Sequence, residues 1–155
     1  MSTTAERPYG SLLGVCQRIE EVAGQIYQLL AQAHRDDAHA VALWTKTAVE
    51  EEQHAQQFRL LQDEFISKVN VDFEAARRTL RFVEYMLFRY RTQTPTVRQA
   101  LLDAIALEEK LQEFHANHVV ESGDDGVRRL FAVLTAADQA HKETLQEALD
   151  RLRPS

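Results

Sequence analysis

Two tetrapeptides pair an acid with a histidine three residues on: Glu51-Glu52-Gln53-His54 in mid-chain and Asp138-Gln139-Ala140-His141 near the C-terminus. On a helix, residues three apart share a face, so each tetrapeptide aims one carboxylate and one imidazole at the same region. Both lie on otherwise apolar stripes. An unpaired carboxylate is costly to bury, so a cation is expected beside each. Glu20, beside the apolar stripe of the first helical stretch, and Glu108, on the inner stripe of the fourth, add two more acids. Four carboxylates in a dry interior repel one another, whereas two divalent ions balance their charge, with neutral His54 and His141 completing the donor set. Oxygen and nitrogen donors without thiolate suit iron or manganese, and zinc can also enter such a site.

The elements that must position these groups are helical. Apolar or small residues recur at three-four spacing through Leu12, Cys16, Ile19, Ala23, Ile26 and Leu30. Asp36-Asp37 turns the chain and caps a second helix running from about 38 to 67, with Val41, Trp44, Ala48, Glu51, Ala55, Phe58 and Phe65 on its inner side. Asn70-Val71-Asp72 is the next break, Asp72 being the expected cap of a helix over about 72 to 91. Thr94-Pro95 restarts the chain, with Thr94 as cap and Pro95 in the first turn. The fourth helix carries Val97, Leu101, Ala104, Glu108, Leu111, His115 and His118 inward, and ends near Ser122-Gly123. After Asp124-Asp125-Gly126 a fifth packs Val127, Leu130, Phe131, Leu134, Asp138, His141, Leu145 and Leu149, and stops at Pro154.

Sliding the chain on itself by 88 residues places Ile19-Glu20 on Leu107-Glu108, Tyr27 on His115 and Asp36-Asp37 on Asp124-Asp125. Beyond the turn the offset is 87 and puts Trp44 on Phe131, Glu51 on Asp138 and His54 on His141. Two helical hairpins of one plan, over about 11–67 and 94–152, are thus joined by a helix. At about 1.5 Å per residue, Glu20 and Glu51 both lie roughly 21 to 24 Å from their turn, and Glu108 and Asp138 roughly 20 to 24 Å from theirs. The six donors Glu20, Glu51, His54, Glu108, Asp138 and His141 therefore converge if the hairpins pack face to face. The expected fold is all-α: one domain over 1–155, a four-helix bundle with one long crossover.

Composition agrees. Five Gly and three Pro among 155 residues leave little turn chemistry, and 45% apolar content allows a core. The net charge of -6 gives no general reason to expect nucleic acid or an anionic membrane as partner. One Cys excludes an intramolecular disulfide. Without a long apolar run or a secretory leader, the cytoplasm is the residual location. Residues 1–8 read as a frayed leader. Arg77, Arg78, Arg81, Arg89 and Arg91 make the linking helix basic: a solvated face, with dimerisation or partner docking as the lesser reading. Glu84 is expected to pair with Arg81 or Arg77, Cys16 to be a small core residue, Trp44 and Phe131 to wall the interior, and His118 to sit at its rim.

The pattern resembles the rubrerythrin-like branch of the ferritin-like di-iron carboxylate superfamily. Residues 12–66 carry it best, through Ile19-Glu20, Ile26-Tyr27 and Val49-Glu50-Glu51-Glu52-Gln53-His54-Ala55; residues 100–145 match more loosely. The resemblance implies two iron ions that react with peroxide or dioxygen, or that oxidise ferrous iron. It carries over Glu20, Glu51, His54, Glu108 and His141 as ligands, with Asp138 one methylene short of the family's glutamate. Tyr27 reads first as packing; the resemblance makes it a candidate to hydrogen-bond a ligand or to take part in radical or proton transfer. His115, its repeat partner, is an extra ligand or a donor behind one. Leu111 stands where rubrerythrins proper place a further carboxylate, and their four-Cys rubredoxin module has no counterpart in this sequence. Electrons are accordingly expected from a separate donor protein, and a homodimer or higher homo-oligomer as the assembly. Metal binding or iron storage without turnover is the alternative, and an interaction bundle with a vestigial site a third.

Overall fold

The computed structural model describes residues 12–65, 73–121 and 125–152, the side chains of 62–65 and 120–121 excepted. Among the described residues five helices follow in order: α1 (Leu12–Ala33), α2 (Ala38–Phe65), α3 (Phe73–Thr92), α4 (Val97–Glu121) and α5 (Asp125–Arg151). No strand occurs among the described residues. The all-α bundle expected from the apolar spacing is the fold observed. α1 packs along α2 and α4 along α5, forming two hairpins; α3 lies chiefly against α1 and touches α4 more lightly.

The first hairpin turns because the α1 ladder ends with the His34 amide on the Leu30 carbonyl, and Asp37 Oδ1 then accepts the Ala40 amide at 3.0 Å as the cap of α2. His34 Nε2 donates to the Pro95 carbonyl at 2.9 Å, tying this turn to the segment before α4. The start of α4 corrects the sequence reading. Thr96, not Thr94, is the cap: its Oγ1 accepts the Gln99 amide at 3.1 Å, which leaves Pro95 outside the helix. Capping needs a side-chain oxygen in reach of an amide three residues on, and Thr96 supplies it. The residue 1–8 leader, the Asn70-Val71-Asp72 break with its cap, Ser122-Gly123 and Asp124, Pro154 and the side chain of Phe65 lie outside the described residues, while Asp125 and Gly126, expected in the turn, already belong to the first turn of α5.

The linking helix buries Ala76, Thr79, Val83, Leu87 and Tyr90, and Tyr90 Oη donates to Asp103 Oδ2 of α4 at 2.5 Å. Its arginines face solvent, as do Tyr85 and Phe88. Glu84 is exposed, and Arg77 pairs with Glu74 at 3.7 Å rather than with Glu84.

Trp44, Tyr27, Phe58 and Phe131 are the largest fully buried side chains. They surround a layer from which apolar groups are withheld, since Glu20, Glu51, Glu108 and Asp138 are all at 0% exposure. Each apolar side chain replaced there forgoes about 1.5–3 kcal/mol of burial, and a buried acid adds its own desolvation cost. The arrangement weakens the metal-free fold, so its value lies elsewhere than in stability.

Gly24 marks the close approach of α1 to α2 beside this layer: a Cβ there would stand 3.5 Å from the Ala48 carbonyl oxygen and 3.6 Å from Glu51 Cβ. These are ordinary contact distances. Gly24→Ala should raise stability in urea denaturation by about 0.5–1 kcal/mol, the helix-interior difference between the two residues.

Candidate metal centre

α1 and α2 bring Glu20, Glu51 and His54 together, and α2, α4 and α5 bring Glu51, Glu108, Asp138 and His141 together. Within each group one donor atom per residue lies within 4.8 Å of all the others. Every member is buried, and Glu51 belongs to both groups. All six donors read from the spacing thus meet in the interior. His115, at 1% exposure, belongs to neither group but touches a member of each: its Nδ1 donates to Asp138 Oδ2 at 2.6 Å while Nε2 stands 2.9 Å from Glu20 Oε1.

The donor atoms face one another without bonding. Glu20 Oε1 and Oε2, Glu51 Oε1 and Oε2, Glu108 Oε2, Asp138 Oδ1, His54 Nδ1, His115 Nε2 and His141 Nδ1 are all buried with no hydrogen-bond partner. Yet His141 Nδ1 stands 3.2 Å from Glu51 Oε1 and 3.4 Å from Glu108 Oε1, and His54 Nδ1 3.9 Å from Glu51 Oε1 and 4.0 Å from Glu20 Oε2. Atoms bound to one ion at about 2.0–2.2 Å are themselves separated by about 3–4 Å. Close but unaligned donors at this spacing are the arrangement that a pair of ions fits. Hydrogen bonds would have drawn them into line.

Burial pushes Glu20 well above the usual carboxylate range, and the charge of Glu51 adds to it. Burial likewise raises Glu108, to about 8, again helped by Glu51, and raises Asp138. Glu51 goes the other way. Burial would raise it, but the protons of Glu20, His141 and His54 facing it hold it below its ordinary value. Desolvation would lower His141, but Glu108 and Glu51 outweigh it and push the ring up to about 12. Without metal, then, the layer holds its negative charge down by keeping protons.

Outside these donors, Tyr27 Oη donates to Glu108 Oε1 at 2.5 Å, and its ring stacks on Trp44 at 5.8 Å between centroids. Burial, with Glu108 next, raises the phenol well above its usual range. Trp44 and Phe131 are walls as expected, both fully buried. Cys16 is a buried core residue whose thiol is raised by burial and by Glu20. His118 departs from its expected rim position. It is 1% exposed, packed between Phe114 and Phe131, and its Nδ1 donates to the Phe114 carbonyl at 2.7 Å, a bond that permits burial. Leu111 is fully buried, an apolar residue in the donor layer's own helix.

One residue the sequence reading passed over is Glu50. Its Oε2 accepts from His141 Nε2 at 2.5 Å, and its side chain is 33% exposed. A carboxylate on the outer nitrogen of a ligating imidazole fixes the tautomer and turns the other lone pair inward.

The family model for rubrerythrin matches residues 11–149, nearly the whole chain. The chain belongs to the rubrerythrin family. No curated protein matches it. Rubrerythrins belong to the ferritin-like di-iron carboxylate superfamily, and the buried acid and imidazole cluster of this member is compatible with a di-iron site. None of its described helices is long and apolar enough to cross a membrane.

Proposed function

We propose that this protein is a di-iron carboxylate oxidoreductase that reacts with peroxide or dioxygen, or oxidises ferrous iron, using electrons from a separate donor protein. The observation that carries this reading is Glu51, fully buried and common to two adjoining groups of donor atoms. Glu20, Glu51 and His54 would hold one ion, and Glu108, Asp138 and His141 the other, with Glu51 between. Two iron ions, when bound, supply Lewis acidity and the electrons that peroxide or dioxygen takes up.

The chain's own residues prepare the site. Glu50 Oε2 holds a proton of His141 on Nε2, so the inward-facing Nδ1 is the nitrogen that would give up its proton to a metal ion. Tyr27 Oη holds Glu108 Oε1 by its hydrogen bond and leaves Oε2 without a partner. Phe58, Phe131 and Trp44 exclude water, which strengthens every charge interaction among the donors. Because the phenol is kept protonated well above its usual range, Tyr27 is a hydroxyl donor at neutral pH.

Manganese and zinc suit the same donors in part, so the metal needs its own test. Anaerobic loading should take up two ferrous ions per chain. Peroxide or air should then produce a near-ultraviolet band that a reductant bleaches repeatedly. Slow oxidation in a single turnover would instead mark a storage protein, and absence of stoichiometric uptake would remove the metal reading.

A further inference from the structure

The two halves differ where they should match. Under the repeat, Tyr27 corresponds to His115, Glu108 to Glu20 and Glu51 to Asp138. Both halves place an aromatic ring behind a carboxylate: Tyr27 against Glu108 with Trp44 stacked on it, His115 against Glu20 with Phe131 at 6.0 Å. Tyr27, though, completes a hydrogen bond to its carboxylate, whereas His115 Nε2 lies 2.9 Å from Glu20 Oε1 and bonds to nothing. Its other nitrogen is engaged, donating to Asp138 Oδ2 at 2.6 Å.

That combination is what a ligating imidazole displays: one nitrogen hydrogen-bonded to a carboxylate, the other without a hydrogen bond and close to an acid. A separation of 2.9 Å is close to the about 3 Å between neighbouring donors on one ion. The change at Asp138 supplies the reason. A carboxylate one methylene shorter than Glu51 reaches less far into the centre, and the His115 ring stands beside it with a nitrogen facing Glu20.

We propose that His115 is a third imidazole ligand of the metal pair, binding through Nε2 on the Glu20 side and oriented by Asp138. This rests on the di-metal reading and deepens it. The pair then has three nitrogen donors, and a ring that does not lengthen or swing like a glutamate occupies one position.

Cobalt(II) alone serves as probe, because it is paramagnetic and shifts the nuclei of its ligands far from their usual positions. In wild-type protein labelled with nitrogen-15 at its six histidines, ring nitrogens of His54, His141 and His115 should be strongly shifted. His115→Phe, or His115→Gln if the first variant does not fold, should lose one of the three while still taking up cobalt. Asp138→Asn should move the His115 signals most. Two shifted imidazoles in the wild-type protein, or the same set in wild type and variant, would overturn the assignment. Failure of the wild-type protein to take up cobalt at all is a separate result, since it removes the di-metal reading itself.

Discussion

Glu51→Ala is expected to abolish stoichiometric metal loading, from two ions per chain to fewer than one, because its carboxylate belongs to both groups of donors. Changing a residue that only supports a ligand weakens metal binding by about 10–100-fold, and loss of a shared ligand should exceed that. The contrast residue is its neighbour. Glu52 is exposed, and Glu52→Ala should load normally. Metal analysis after desalting, beside circular dichroism to confirm the helices, is sufficient. Equal loss in both variants would place the effect in the helix rather than in the site, and full loading of Glu51→Ala would end the assignment.

The second large effect is on stability as pH changes, and its sign reverses with metal. In metal-free protein Glu20, Glu108 and Asp138 have folded values above their unfolded ones, chiefly through burial. Such an acid stabilises the fold fully below its unfolded value, and that contribution is lost as pH rises through the folded value. For Glu108 the window runs from 4.5 to about 8. His141, raised to about 12, changes in the same direction above 6.5. Glu51 is depressed, so its contribution is present above 4.5 and lost only in acid, outside this window. The melting temperature without metal should therefore fall between pH 5 and 8, by on the order of 10 °C, the change expected when a domain of this size loses about 3–4 kcal/mol. With metal it should rise over the same range, because ions displace the protons and compete better as protons become scarce. Glu108→Gln should flatten the metal-free slope. A metal-free melting temperature that holds level or climbs would contradict the protonated layer.

Much of this site was legible because helical period and repeat arithmetic are local properties. Glu20, Glu51, Glu108 and Asp138 interrupt apolar stripes at matched distances from two turns, which is enough to bring them to one level. Glu50 was not legible. It stands about 100° around the helix from Glu51, off the inner stripe, and only the packing of α2 on α5 shows that it reaches His141. The Thr96 cap was misplaced by two residues because Thr94-Pro95 carries the same chemistry and only backbone geometry distinguishes them. His118 lies seven residues after Leu111, which does mark the inner face; what the spacing could not reveal is the Phe114 carbonyl that lets an imidazole be buried there.

The outer partner of His141 has a consequence for the pair as a whole. By the offset that matches Glu51 to Asp138, Glu50 falls on Ala137, which has no carboxylate to offer. One berth is therefore linked through an imidazole to an acid at the protein surface, and its twin lacks that link. The two donor groups are therefore unlike, and on the proposed di-metal reading a local spectroscopic probe of the loaded protein should read two environments instead of one counted twice.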